Sequence, residues 1–170
     1  MAGMRQLEPP NNHHLSAAVG WLELGNLAEA KVELNAIAAA EQNHPDVLEA
    51  RWLVCVEEQD WVAGLGVARI LLRKAPRRSA GWLHQAYALR RIPGGSVKQA
   101  WDALLPAFDQ FPKEAIICYN LSCYACQMHQ LEAARTWLKR ALFIGGKERI
   151  KPMALQDPDL KELWTEIREL

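Results

Sequence analysis

One pattern of apolar and small residues recurs four times along the chain. The copies lie in the segments GNLAEAKVELNAI, QDWVAGLGVARILL, GGSVKQAWDALLPAF and HQLEAARTWLKRAL. In each copy an apolar residue is followed by a small residue at offset 3 and by apolar residues at offsets 7 and 10. These offsets place the members of a set on one face of an α-helix. The sets are Leu27, Ala30, Leu34 and Ile37; Trp61, Gly64, Ala68 and Leu71; Val97, Ala100, Leu104 and Ala107; and Leu131, Ala134, Leu138 and Ala141.

The spacing between the copies predicts a repeat protein. Successive copies are 34, 36 and 34 residues apart, and the two extra residues fall in the turn around Pro93, Gly94 and Gly95. A second helical segment precedes each copy, roughly over residues 12–24, 46–58, 79–91 and 113–128. Helix–turn–helix units of about 34 residues are typical of a stacked solenoid. The small residue at offset 3 lets helices approach closely, so we expect it to be buried in every copy.

The pattern resembles the tetratricopeptide repeat (TPR) family over about residues 11–146. The second helices match the family motif well, and the segment YNLSCYACQMHQLEAARTWLKRAL matches best, with Leu121 and Ser122 at the Leu-Gly positions of the motif. Trp21 and Trp82 occupy expected large apolar positions. The resemblance, to a bacterial-type TPR protein, implies an all-α, right-handed superhelical solenoid of antiparallel helix pairs, with about eight repeat helices and a C-terminal cap.

The boundaries that we predict are a flexible tail, four repeats and a capping segment: 1–10, 11–44, 45–78, 79–112, 113–146 and 147–170. In the last segment, DPDLKELWTEIREL places Leu160, Leu163, Trp164 and Ile167 on one helical face and charged residues on the other. Such a helix suits a cap that covers the apolar side of the final repeat. A short helix over Lys147–Gln156 is expected before it.

Charge is distributed unevenly, although the formal net charge is zero. Between Glu23 and Asp60 there are nine acidic and two basic residues, and between Trp61 and Trp101 there are eight basic residues and no acidic one. The zero total argues against a nucleic-acid-binding protein, which normally carries a basic excess. No apolar run approaches the ~20 residues that span a bilayer. The N-terminal sequence lacks the apolar core of a signal peptide, which predicts a cytoplasmic protein without membrane insertion.

The segment CYNLSCYACQMH contains three cysteines and a histidine, which suggests a metal or redox site. On one helix, however, Cys118 and His129 would lie ~16 Å apart along the axis, too far to bind one ion. Only Cys123 and Cys126 share a face closely enough, and free cysteines commonly pack as small apolar residues. Packing is therefore the favoured interpretation, and a thiol- or metal-dependent activity at this pair is the less favoured one. The family pattern places both thiols on a face where a partner could reach them.

No other motif indicates an enzyme. The segments PGGSVK and IGGKER lack the spacing of a phosphate-binding loop, and no nucleophile–base or paired-carboxylate arrangement stands out. The sequence therefore predicts a non-enzymatic protein with no catalytic residue, cofactor or metal.

The TPR resemblance implies that the first helices line a concave groove, which holds a peptide or helix of a partner protein. Transferred by position, the groove would be apolar at its N-terminal end and basic and hydrogen-bonding toward its C-terminal half. The predicted groove residues are Leu15, Val19, Leu22, Glu49, Leu53, Val56, Leu83, Tyr87, Arg90, Arg91, Tyr119, Asn120, Cys123 and Gln127.

Two functions fit these features. The first is an adaptor, scaffold or assembly subunit whose groove takes an apolar segment with acidic residues near Arg90 and Arg91. Simple solvation of these two arginines at a helix end is an equally good interpretation. The second is salt-dependent self-assembly, in which the acidic first two repeats of one copy meet the basic middle of another.

Overall fold

The computed structural model describes residues 6–169, and all regular secondary structure among them is helical. The all-α prediction is thus confirmed for these residues. The chain divides into two compact units, Met1–His84 and Gln85–Leu170, referred to below as the N-terminal and the C-terminal unit. The boundary between them falls within the fifth helix.

The N-terminal unit consists of helix pairs joined by short turns. The helices of this unit are α1 (Asn11–Glu23), α2 (Leu27–Ala36), α3 (Pro45–Glu57), α4 (Trp61–Lys74) and the start of α5 (Ser79–Leu89). The pair α1 and α2 packs together, as does the pair α3 and α4, and α3 also contacts both helices of the first pair. A 3₁₀ turn, Ala39–Glu41, connects the two pairs.

The C-terminal unit contains a further helix pair and a C-terminal part that differs from a simple helix. Its elements are α6 (Val97–Leu104), α7 (Ala107–Gln110), α8 (Ala115–Gln127), α9 (Leu131–Gly145), α10 (Lys147–Gln156), the 3₁₀ segment (Pro158–Leu163) and α11 (Trp164–Glu169). Helices α8 and α9 form the pair, α10 packs on α9, and the 3₁₀ segment that follows α10 packs on α8. The four predicted first helices thus agree with α1, α3, α5 and α8 to within two residues at each end.

The recurring apolar and small residues form the core, as predicted. All twelve residues at offsets 3, 7 and 10 are buried: Ala30, Leu34, Ile37, Gly64, Ala68, Leu71, Ala100, Leu104, Ala107, Ala134, Leu138 and Ala141. The helices approach closely at Gly64, where an added Cβ would lie 3.0 Å from Cζ3 of Trp52 and 3.4 Å from Cβ of Cys55. A larger residue here would have to push α3 away, which explains why the position is small.

Two segments depart from the predicted pattern. The second helix of repeat three stops at Leu104, and α7 begins only after Pro106. Proline has no amide hydrogen to donate within the helix, so the break at this position has a direct cause.

At the N-terminus, Leu7 is buried in a cluster with Ala18 and Leu34, so this side chain anchors part of the segment expected to be a flexible tail. Residues 1–5 of that tail lie outside the described part of the chain.

Candidate partner-binding face

Three positions one helical turn apart on each first helix form the set of equivalent repeat positions that we call the first-helix stripe. Equivalent positions are 34 residues apart in the first three repeats and 36 residues apart between the third and the fourth. The stripe comprises Leu15, Val19 and Glu23 on α1; Glu49, Leu53 and Glu57 on α3; Leu83, Tyr87 and Arg91 on α5 and the turn after it; and Tyr119, Cys123 and Gln127 on α8. The sequence prediction named all of these except Glu23 and Glu57, which the repeat spacing alone would have identified.

On α8 the stripe is covered by residues 157–163 of the same chain, referred to below as the C-terminal segment. The hydroxyl of Tyr119 donates a hydrogen bond to Oδ2 of Asp157 at 2.8 Å, and Sγ of Cys123 lies 3.5 Å from the same oxygen. Nε2 of Gln127 donates to the main-chain oxygen of Asp159 at 3.2 Å. All three stripe positions of this helix therefore contact Asp157 or Asp159, which lie just before and within the 3₁₀ segment Pro158–Leu163.

Arg90 fixes the same segment by charge. Its guanidinium donates two hydrogen bonds to the carboxylate of Asp159, at 2.5 and 3.2 Å, and lies 5.5 Å from the ring centre of Tyr124. Burial by itself would lower the pKa of Arg90, but the hydrogen bond and charge of Asp159 outweigh it and the pKa is raised. The acidic group that the sequence placed near Arg90 is thus supplied, in this structure, by the chain itself.

The neighbouring arginine is held differently. The guanidinium of Arg91 lies 3.4 Å from the ring centre of Tyr87 and donates to the main-chain oxygen of that residue at 3.0 Å. Burial lowers its pKa, although the guanidinium stays charged at any ordinary pH. Stacking over a tyrosine ring orders this side chain on its own helix.

Three of the four cysteines, all on α8, are buried. Cys118, Cys123 and Cys126 are at most 2% exposed, and burial raises the pKa of each thiol. The prediction that Cys123 and Cys126 are reachable from the groove is therefore wrong, because the C-terminal segment covers α8 on that side. A buried thiol with a raised pKa is a poor nucleophile, since the thiolate is the reactive form.

One group of potential metal ligands occurs among the described residues. Sγ of Cys123 and carboxylate oxygens of Asp157 and Asp159 lie within 4.8 Å of one another. The positive charge at this point comes from Arg90, which binds Asp159 directly. An arginine in that place competes with a cation for the same carboxylate, so the cluster is explained as an ion pair with its hydrogen-bonded neighbours.

In the N-terminal unit the described residues leave the middle position of the stripe exposed on α1 and α3. The middle position of the stripe is 38% exposed at Val19 and 47% at Leu53, whereas its equivalent on α8, Cys123, is 2% exposed. Glu49 forms an ion pair with Arg78 at 2.8 Å. Glu23 and Glu57 are exposed and form no ion pair with any described residue.

The other predicted groove residues divide between core and surface. Leu15 and Leu22 are partly buried and pack against the apolar cluster that contains Ala18. Val56 and Leu83 are half-buried. The amide of Asn120 donates to the carbonyl of Ile116 on its own helix at 2.9 Å, which turns this side chain back toward the backbone.

Paired helices with buried small residues recurring every 34 to 36 residues give the chain a fold like that of tetratricopeptide repeat proteins. The fold is similar to that of TTC0263, a thermophilic TPR protein of Thermus thermophilus, with a TM-score of 0.69. The similarity covers 94% of this chain and 100% of the other, at 16% sequence identity. No protein-family model matches the sequence, and no curated protein matches it either. None of the described helices has the length and apolar character needed to cross a membrane.

Proposed function

We propose that the chain is a non-enzymatic protein-binding module, an adaptor or assembly subunit, that holds a peptide or helix of a partner against the first-helix stripe of α1 and α3. The observation that carries the proposal is the contrast in exposure at one repeat position. Val19 and Leu53 are exposed, whereas Cys123 is covered by a short helical segment. The same face of the repeat thus already binds a polypeptide segment once within this chain.

Energetics favour the N-terminal unit over α8 as the binding site. Leu160 and Leu163 of the covering segment are at most 1% exposed. Burying an aliphatic side chain stabilises by ~1.5–3 kcal/mol, so displacing this segment would cost roughly 3–6 kcal/mol before its ion pair is counted. A partner that binds Arg90 through an acidic residue would have to displace Asp159 as well. The uncovered positions of α1 and α3 carry no such cost.

Partner capture with matched variants tests the proposal. The tagged chain would be used to capture proteins from an extract of the cells that express it, and captured proteins would be identified by mass spectrometry. Val19→Asp and Leu53→Asp should each reduce capture of a specific partner by about tenfold or more, because each places an unpaired charge in an apolar contact.

Val32→Asp is the matched control, because Val32 is 60% exposed but lies on α2, away from the stripe. This variant should capture the partner as the wild-type chain does. Equal capture by all three variants, with unchanged far-UV circular dichroism, would contradict the proposal.

A further inference from the structure

We infer that the stripe of the N-terminal unit selects a basic amphipathic segment of a partner protein, with apolar side chains against Val19 and Leu53 and a lysine or arginine beside Glu23 and Glu57. The inference rests on the proposed function and names the chemistry of the partner. It follows from three features of the described residues: the contacts made on α8, the ion pairs of the N-terminal unit, and the spacing along the stripe.

The contacts on α8 show which positions touch a bound segment. Tyr119, Cys123 and Gln127 each contact the chain's own C-terminal segment. The third position of the stripe, Gln127, reaches the backbone of Asp159. Its equivalents in the N-terminal unit are Glu23 and Glu57, so a segment bound there would meet two carboxylates where the segment on α8 meets an amide.

Among the described residues of the N-terminal unit, Glu23 and Glu57 are the stripe carboxylates without an ion-pair partner. Glu33 contacts His14 at 2.7 Å, Glu49 contacts Arg78 at 2.8 Å, and Glu58 contacts Lys31. Helix α1 contains no lysine or arginine. The one basic residue of α3, Arg51, donates to Leu34 and Gln42, which belong to α2 and the following turn. Glu23 and Glu57 are therefore free, among the described residues, to pair with a basic side chain of a partner.

The spacing defines the pattern of the partner. Glu23 follows Val19, and Glu57 follows Leu53, by four residues, which is ~6 Å along a helix. A helical partner that runs along the stripe would match it with an apolar residue and a basic residue three or four positions apart. The apolar contacts would supply most of the affinity, and the exposed charges would supply selectivity and a salt-sensitive association rate.

Two synthetic peptides provide the test. One is a fluorescent helical peptide of about 16 residues with a leucine face flanked by lysines, and the other carries glutamate at every lysine position. By fluorescence anisotropy, the Leu/Lys peptide should bind the full chain at least tenfold more tightly than the Leu/Glu peptide. Its affinity should fall severalfold when salt is raised from about 50 to about 300 mM.

Charge reversal separates this site from general attraction between opposite charges. The double variant Glu23→Lys/Glu57→Lys should bind the Leu/Glu peptide in preference to the Leu/Lys peptide. The matched control is Glu29→Lys/Glu169→Lys, which changes net charge equally at exposed positions off the stripe. It should keep the wild-type preference. The inference is overturned if the two double variants behave alike, if neither shows a preference, or if the face is occupied by a second copy of the chain.

The inference and the proposed function can fail separately. Loss of partner capture in Val19→Asp, together with no charge preference between the peptides, would remove the basic partner and leave the protein-binding module standing. Unchanged capture in Val19→Asp and Leu53→Asp, together with no peptide binding, would remove both.

Discussion

At the scale of single residues, the repeats share a capping position that one of them does not use. Asn26, Asp60 and Ser96 each precede a second helix and accept a hydrogen bond from the amide three residues later. In repeat four the equivalent residue is Gln130, whose side chain caps nothing. Its backbone angles, φ −91° and ψ 65°, resemble those of Asp60, φ −83° and ψ 79°. The backbone at Gln130 therefore has the conformation that an N-cap residue needs.

We therefore expect Gln130→Asp to raise the free energy of unfolding by about 1 kcal/mol, because a short carboxylate can accept from the free amide of Ala133. Urea unfolding would measure the change. Gln130→Ala serves as the control and should leave stability almost unchanged, and Asp60→Ala should lower it by about 1 kcal/mol. A stability of Gln130→Asp equal to that of Gln130→Ala would show that the cap does not form.

A buried histidine makes stability depend on pH. The ring of His84 stacks on Trp52 with centroids 4.4 Å apart and planes 13° apart, and burial lowers its pKa from 6.5 to about 4. Between these values the unfolded chain binds a proton that the folded chain does not, so stability falls as pH falls from about 7 to about 4. Below the folded pKa both states are protonated and this contribution is constant.

Lowering the pH to about 4.5 should cost roughly 2 kcal/mol through His84 alone, at 1.36 kcal/mol per pKa unit. His84→Phe keeps an aromatic ring against Trp52 and removes the titration. Urea unfolding at pH about 7 and at pH about 4.5 should therefore show a smaller acid-induced loss of stability for this variant than for the wild-type chain. An identical loss in the two proteins would mean that other groups cause the pH dependence.

At the scale of elements, the cap depends on a contact between distant parts of the C-terminal unit. Arg90 and Asp159 are 69 positions apart, and their side chains are 17% and 24% exposed. Lys98 and Asp102 form an ion pair one helical turn apart, with side chains 65% and 55% exposed. The two pairs use similar chemistry at very different degrees of burial, which makes the second a matched control for the first.

Double-mutant cycles should separate the two pairs. For Arg90→Ala and Asp159→Ala we expect a coupling energy of about 1–2 kcal/mol, because the pair is bidentate and partly shielded from water. For Lys98→Ala and Asp102→Ala we expect about 0.5 kcal/mol or less. Chemical unfolding at two salt concentrations would measure both. Equal coupling in the two pairs would mean that Arg90 contributes little to holding the cap.

The elements that the sequence predicted are those encoded by short-range periodicity. Offsets of three, seven and ten residues identify Ala30 and Gly64 as buried, because a helix repeats its faces at that interval. The path of residues 157–163 across α8 could not be predicted in this way. It depends on Asp159 meeting Arg90 and Asp157 meeting Tyr119, which are contacts without a sequence period. The covering of Cys123 and Cys126, which the sequence analysis expected a partner to reach, was missed for the same reason.

At the scale of the whole molecule, the uneven charge raises the question of self-association. Four exposed basic side chains of the N-terminal unit form no ion pair with any described residue: Arg69, Arg73, Lys74 and Arg77. Contacts between exposed charges contribute ~0–1 kcal/mol each. Association costs ~4–15 kcal/mol in lost freedom of motion, so even four such contacts reach only the lower end of that range. On α4 the large exposed apolar side chain that could add to them is Val62.

We accordingly expect the chain, of 19.2 kDa, to sediment as a monomer at both about 50 mM and about 500 mM NaCl. Analytical ultracentrifugation over a range of protein concentrations would measure this. If charge did drive assembly, a dimer or larger species would appear at the lower salt and dissociate at the higher one. The variant Arg69→Glu/Arg73→Glu would then abolish it, whereas Lys147→Glu/Arg149→Glu, on exposed residues of α10, would not. A salt-sensitive oligomer with that dependence on α4 would replace the adaptor interpretation with self-assembly.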